Sequence, residues 1–461
     1  MTGSNVASAT AIQTKVIEPA RREELDLMEG LVVAGLVFFH TAMIFGTMGF
    51  YVVSDKKSVA VDVLIYAIGI WAMPLLFFSS GSSIWHSLGK RTAWKFVGNR
   101  CRRLLVPFVA GLLVTFPPSV YFMLKAENPT FNAPYNEFYL NFLKFVVKWP
   151  LFIVRPPFGE GERTGHLWFL IHLLAFSLFL LPLFLYLRRT SGRRPAKQFA
   201  DFCARPGAIL LLGLPIAAIE AAFGTEPTGM WSRYAYVPFL VYGFLFEGDA
   251  KFGAALRRHW KIGLIVGLGL LVTAGMGGLA VLYGAGIDPL TSYDLWSVLW
   301  RSIKGVNSWF VVVAILGLAG RARQKQDAPH ADRDERLEPV DGKATLIGRV
   351  AEYVGEAQLP FYVLHMTPIV IIGFYVVQWQ ISAIIKYVAI SLVSFVATLT
   401  MYEVGIRRIG PMRLLFGLKP RQKRPKAPQG ANRRHERTRS GRTNPGQLRE
   451  NALEREDLDV T

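Results

Sequence analysis

The sequence predicts an all-α polytopic membrane protein with about ten transmembrane helices, both termini in the cytoplasm and a disordered, basic C-terminal tail. Of the 461 residues, 52% are hydrophobic, and the mean hydropathy is positive. The apolar residues fall into runs of roughly 17 to 25 residues, the length that crosses a bilayer core. The short alternating segments that are typical of a transmembrane barrel are absent from the sequence.

Ten apolar runs are predicted to span the membrane. The fifth run is interrupted by Pro215 and Glu220, and the sixth is short. The ten predicted spans are residues 25–50, 59–86, 104–124, 166–187, 207–223, 234–247, 262–283, 295–319, 359–379 and 383–405.

The distribution of Lys and Arg predicts the orientation of these spans. The net charge is +19, but the basic residues are concentrated in alternate loops and in the tail. Cytoplasmic loops carry such an excess, so an even number of spans with both ends inside is expected. We therefore interpret the basic residues as signals of membrane topology, and no nucleic-acid partner is expected. Cys101 and Cys203 fall in cytoplasmic segments, where a structural disulfide is not expected.

The chain divides into three predicted parts. Residues 1–24 form a cytoplasmic N-terminal segment, residues 25–405 form the membrane domain, and residues 406–461 form the tail, which could contact anionic lipid. Within the membrane domain, 320–349 is predicted to be a cytoplasmic linker. Residues 125–165 are predicted to be an outside loop, in which an apolar run with interspersed lysines could be a surface helix or a lid.

His40 is the first candidate for chemistry, because it lies inside the first apolar run. A helix rises about 1.5 Å per residue, which puts His40 roughly 22 Å along from Leu25. Ionisable residues at this depth are costly and are therefore candidates for function. His166, His172 and His365 lie in or at other apolar runs. No metal is expected, since no zinc-binding His/Glu spacing or cysteine pair occurs.

Two further patterns suggest a binding site on the cytoplasmic side. Arg100 and Arg103 stand three residues apart at the start of the third span. They could hold a phosphate-bearing ligand or could be a stop-transfer anchor. Ser80 and Gly81 interrupt the second apolar run, where they could permit close approach of a ligand or of another helix.

Five motifs in chain order resemble the acyltransferase-3 family of integral membrane O-acyltransferases, nearest the glucan-biosynthesis (glucan succinyltransferase-like) branch. The motifs are Leu25-Asp26 ahead of the span with His40, PLLFFSSG at 74–81, Arg100-x-x-Arg103 before LLVPF, HLWFL from His166, and LPFYVLH ending at His365.

The resemblance implies transfer of an acyl group, acetyl or succinyl, from cytosolic acyl-CoA to a hydroxyl of an extracytoplasmic carbohydrate or glycolipid at the inner (plasma) membrane. It implies that His40 is catalytic, as general base or acyl relay, and that Arg100 and Arg103 bind the donor.

The remaining site residues are assigned more loosely. Ser80 and Gly81 are assigned to the donor side. His166, Trp168 and His365 are assigned to substrate binding, although Trp168 could instead be an interfacial anchor.

One position departs from the family pattern. Glu29 stands where an arginine is usual, eleven residues before the histidine. Either Arg21, Arg22 and Lys90 compensate, or the donor differs, or the protein is a silent scaffold. The alternative function is a transporter or flippase in which intramembrane histidine and Glu220 relay protons.

Overall fold

The computed structural model describes residues 18–148, 165–224, 232–279, 282, 284–327 and 346–419, and the regular elements in these ranges are all helical. The α-helices in chain order are α1 (Glu18–Met43), α2 (Val59–Lys90), α3 (Ala93–Arg100), α4 (Val106–Val114), α5 (Phe116–Glu127), α6 (Tyr135–Lys148), α7 (Trp168–Phe179), α8 (Leu181–Arg188), α9 (Thr190–Cys203), α10 (Gly213–Phe223), α11 (Tyr236–Phe246), α12 (Ala250–Leu279), α13 (Leu295–Asp327), α14 (Leu346–Leu364), α15 (Met366–Val376), α16 (Ala383–Thr400) and α17 (Gly410–Leu415).

Within these ranges, five continuous helical stretches, some of which join several of these elements, are each long and apolar enough to cross a membrane. The five are Val59–Lys90, Ala93–Glu127, Ala250–Gly278, Leu295–Ala322 and Ala383–Ile406. Three bent pairs raise the number to eight if each pair is one span. Each of the ten predicted runs contains a described helix. A helical, multi-pass membrane protein is thus confirmed, whereas ten complete crossings and the orientation of the termini stay predictions.

The first predicted span, 25–50, was placed too far along the chain, because α1 ends at Met43. Beyond it the chain turns at Gly49, whose φ is 84°. Asp62 on α2 holds this turn, since its carboxylate accepts hydrogen bonds from the Thr47 amide at 2.9 Å and the Thr47 hydroxyl at 2.6 Å. His40 therefore lies in the last turn of its helix.

The ninth predicted span, 359–379, corresponds to two helices rather than one. Helix α14 begins at Leu346, and the chain bends by 50° before α15. Pro368 explains the bend, because it has no amide hydrogen and its ring clashes with the carbonyl of Leu364. His365 is the residue at the bend.

The predicted tail and loops are only partly described. The tail was predicted to be disordered from 406, which is wrong for its first residues, since α17 forms and Phe416 and Leu418 are buried. Residues 420–461 lie outside the described residues, as do 1–17, 149–164 and most of the linker 320–349. In the predicted outside loop, α6 forms and buries Phe138 and Phe142.

Close helix contacts bring the distant parts of the chain together. A Cβ added at Gly30 on α1 would overlap the side chain of Val354 on α14. A Cβ at Gly111 on α4 would lie 2.8 Å from Val363 Cγ1 and 3.1 Å from Leu167 Cδ1. These small residues let α1 and α4 pack directly on α14, and the α4 contact lies beside its bend.

Candidate active site

Three of the predicted histidines, His40, His166 and His365, meet in the structure, and we call them the three-histidine cluster. The ring centroids of His40 and His365 are 5.3 Å apart, and those of His166 and His365 are 5.0 Å apart. His365 is thus the central member. The three residues come from widely separated segments of the sequence.

Each member of the cluster lies at the end or break of a helix. His40 is in the last turn of α1 and His365 is at the bend between α14 and α15. His166 lies in the 3-10 turn Gly165–Leu167 that precedes α7. Gly165 has a φ of 51°, and a Cβ there would overlap the hydroxyl of Tyr51. Only glycine fits this backbone conformation comfortably, so it is required to place His166.

Two backbone carbonyls of α14 hold the buried rings. Val363 O lies 3.0 Å from His166 Nε2, and Tyr362 O lies 2.7 Å from His365 Nδ1. The Tyr362 hydroxyl donates a hydrogen bond to the backbone oxygen of His166. Both carbonyls belong to the last turn of α14, where helix carbonyls lack partners within their own helix. The bend thus supplies the groups that orient the imidazoles.

One ring nitrogen of each histidine is buried without a hydrogen-bond partner in the described part of the chain. These atoms are His40 Nδ1, His166 Nδ1 and His365 Nε2. The His365 residue is 0% exposed and His166 is 4% exposed, whereas His40 is partly exposed. Buried polar atoms are usually paired, because leaving one unpaired costs about 1–3 kcal/mol. Three such atoms in one place indicate a site for a ligand.

Of the two predicted donor arginines, Arg100 is the last residue of α3, and Arg103 lies in the π-helical turn Cys101–Leu105 that follows. Arg100 is partly buried, with its guanidinium 5.4 Å from the Phe96 ring centroid, and Arg103 is exposed. Glu29 is close enough to Arg100 to interact electrostatically, and its carboxylate accepts a 2.8 Å hydrogen bond from Gln358. The structure therefore places Glu29 beside Arg100.

The Ser80-Gly81 break lies where α2 meets α11. A Cβ at Gly81 would overlap the backbone oxygen of Leu240, and a Cβ at Gly243 would overlap that of Phe78. Gly81 thus allows close helix packing, and Ser80 is partly buried. A role for this pair in donor binding stays a prediction.

Trp168 does not join the three-histidine cluster in the described ring contacts. Its ring packs 5.4 Å from that of Tyr236 and 6.3 Å from that of Phe77. The Arg233 guanidinium lies 5.8 Å from its centroid. Trp168 follows His166 by two residues, and its side chain packs in this aromatic group rather than against the histidines of the cluster.

No metal centre is found in the described residues, because they contain no group of three or more His, Cys, Asp and Glu side chains that could hold a metal ion.

Sequence reasoning missed the groups that orient the histidines. Tyr362 lies within the LPFYVLH motif, three residues before His365, a spacing at which helical side chains meet. That spacing could have identified Tyr362. Nothing in the sequence indicates that Val363 O would contact His166, because that contact depends on how α14 packs beside Gly111.

Comparison with known families gives one match. The sequence profile of a family described as an acyltransferase domain matches residues 22–403, most of the chain, and this range includes the three-histidine cluster and both arginines. No curated protein and no solved structure matches the chain significantly.

Proposed function

Because the chain belongs to the acyltransferase-3 family and is therefore a membrane acyltransferase, we propose that it moves an acetyl or succinyl group from cytosolic acyl-CoA to a hydroxyl of an extracytoplasmic carbohydrate or glycolipid. The proposed location is the cell inner (plasma) membrane, and the nearest branch is the one that modifies glucans. The observation that carries the proposal is the three-histidine cluster with its unpartnered ring nitrogens.

The predicted topology supports an acceptor site on the outer side. With the N-terminus inside, α1 runs outward and α7 runs inward. His40 at the end of α1 and His166 just before α7 then both lie toward the outer face. An acceptor from outside reaches the cluster without crossing the membrane.

His40 is the member of the cluster best placed to touch both substrates, because this residue is partly exposed, whereas His166 and His365 are buried. A neutral imidazole can take the proton of the acceptor hydroxyl. The hydroxyl oxygen attacks the thioester carbonyl carbon, the carbon–sulfur bond breaks, and the CoA thiolate leaves and takes up a proton. In the second route the acyl group passes first to His40 and then to the hydroxyl.

Arg100 and Arg103 are proposed to bind the phosphates of the donor. Eight residues separate Arg103 from Gly111, about 12 Å along a helix. Gly111 contacts Val363, whose carbonyl holds His166. The thioester arm of the donor is proposed to follow this helix from the arginines to the cluster. The carboxylate of Glu29 lowers the positive charge at the donor end, so a donor with fewer phosphates remains an alternative to CoA.

The family match gives no support to a transporter or flippase. No specific feature of the described residues favours that alternative over acyl transfer, and the family match indicates an enzyme rather than a silent scaffold.

The test is a transfer assay with purified protein in liposomes. Radiolabelled acetyl-CoA and succinyl-CoA are supplied in separate reactions, with methyl β-glucoside or a glucan oligosaccharide on the opposite face. We expect label in the acceptor with one donor. Transport of unmodified acceptor, with no label transferred from either donor, would contradict the proposal.

A further inference from the structure

The hydrogen-bond partners of His166 and His365 determine where each ring carries its hydrogen. A backbone carbonyl only accepts hydrogen bonds. His166 Nε2 and His365 Nδ1, which contact the carbonyls of Val363 and Tyr362, must therefore be the protonated nitrogens. In a neutral imidazole the other nitrogen is an acceptor. The two rings thus have opposite tautomers, assigned from their partners.

The remaining acceptor atoms are His166 Nδ1 and His365 Nε2. Both are buried and have no partner in the described residues. The two rings are nearly perpendicular, with an interplanar angle of 80°. Each of these two neighbouring rings therefore keeps one buried acceptor nitrogen, and each acceptor can take a hydrogen bond from a ligand.

The groups around the cluster indicate which kind of hydrogen-bond donor a ligand would carry. Within the described residues, its hydrogen bonds and ring contacts involve backbone carbonyls, aromatic rings and the histidines themselves, with no carboxylate among them. A buried ammonium group would need an opposite charge. Hydroxyl groups donate hydrogen bonds without carrying a charge.

Building on the proposed function, we propose that His166 Nδ1 and His365 Nε2 accept hydrogen bonds from two acceptor hydroxyls that flank the hydroxyl reacting at His40. The acceptor is then a polyol with neighbouring hydroxyls, such as a sugar ring, rather than a lone alcohol or an amine. His166 and His365 bind and orient this acceptor, and they make binding selective for the positions of its hydroxyl groups.

The first experiment measures the tautomers and does not depend on activity. Full-length protein labelled with ¹⁵N-histidine is studied by NMR near neutral pH, with His166→Asn and His365→Gln used to assign the two signals. We expect the hydrogen on Nε2 of His166 and on Nδ1 of His365. The same tautomer at both residues, or both rings doubly protonated, would overturn the proposal even if the protein is an active acyltransferase.

The second experiment compares methyl β-glucoside with its deoxy and deoxyfluoro analogues as acceptors. Fluorine can accept a hydrogen bond but cannot donate one. If the flanking hydroxyls donate to the histidines, both replacements raise KM by about tenfold or more, since each leaves a buried acceptor unpaired. Fluoro analogues that bind as well as the parent sugar would overturn the proposal.

Variants of His365 separate ligand binding from a structural role. His365→Gln keeps an acceptor oxygen near the position of Nε2, whereas His365→Leu has none. We expect the Leu variant to raise the KM for methyl β-glucoside by about tenfold over the Gln variant, with the KM for the acyl donor unchanged in both. Equal acceptor KM values for the two folded variants would overturn the proposal. If no variant or wild-type protein transfers label, the proposed function fails, and the NMR result still decides the tautomers.

Discussion

Two groups of buried polar side chains in this bundle differ in how their polar atoms are paired. Glu220 on α10 and Lys304 on α13 form an ion pair at 2.8 Å, with side chains 0% and 1% exposed. The Glu220 carboxylate also accepts a 3.1 Å hydrogen bond from the Ser232 amide. In the three-histidine cluster, by contrast, each ring keeps one buried nitrogen without a partner in the described residues.

This difference indicates a structural role for the Glu220–Lys304 pair and a ligand-binding role for the three-histidine cluster. The Glu220 carboxylate has a charged partner at one oxygen and an amide donor at the other, and the ion pair joins α10 to α13. Unpartnered nitrogens instead carry a cost that a ligand can remove. Breaking the first group should therefore lower stability, whereas breaking the second should lower activity.

The largest expected effect is the loss of transfer activity when the His40 side chain is removed. His40→Ala should lower the transfer rate by about 10²- to 10⁴-fold, because a general base contributes that much. Label transfer from acyl-CoA measures it. The matched control is His172→Ala, since His172 has partners at both ring nitrogens. Full activity of the His40 variant would contradict its catalytic role.

Loss of the Glu220–Lys304 ion pair should have the next largest effect, on the stability of the protein. Lys304→Met removes the ion-pair partner of the buried Glu220 carboxylate and should destabilise the protein by about 3–5 kcal/mol. The apparent melting temperature in detergent measures it. The double variant Glu220→Gln with Lys304→Met removes both charges and should recover most of the loss. Equal melting temperatures for wild type and Lys304→Met would show that the pair does not stabilise the bundle.

Gly165→Ala tests whether the backbone places the cluster. The added Cβ would meet the Tyr51 hydroxyl and would lie 2.9 Å from the Phe116 ring, and the φ of 51° is unfavourable for alanine. A misplaced His166 should lower kcat by about tenfold to a hundredfold. Gly275→Ala on α12 is the control, because a Cβ there has open space. Similar rates for both variants would be inconsistent with this role.

The smallest effect is expected at the exposed arginine. Arg103→Ala should raise the KM for the acyl donor by a few-fold, roughly 1 kcal/mol, and high salt should reduce the difference. Arg102→Ala is the control, since Arg102 is also exposed and lies next to Arg103. A change confined to the acceptor KM would exclude Arg103 as a donor-binding residue.

The sequence predicted the helical class well, because apolar runs of membrane length leave few alternatives. It was less reliable for helix ends. The first span ends at Met43 because Asp62, far along the chain, holds the turn that follows. The bend at His365 could have been predicted from Pro368, but the apolar run continues through it.

The members of the candidate site could also be found from the sequence, but their arrangement could not. His40, His166 and His365 were each notable as ionisable residues in apolar surroundings. Their convergence depends on the close contacts of Gly30 and Gly111 with α14. Which nitrogens remain unpartnered depends on carbonyls at the end of α14, and these are properties of packing rather than of local pattern.

Pro368 has a consequence that reaches beyond the shape of its helix. It has no amide hydrogen at any pH or in any ligand state, so the carbonyl of Leu364 lacks its helical partner throughout the reaction cycle. The carbonyls of Tyr362 and Val363 lie in the turn just before this break, where they contact His365 and His166. The bend beside these two imidazoles therefore has a covalent cause that neither protonation of the cluster nor a bound substrate removes.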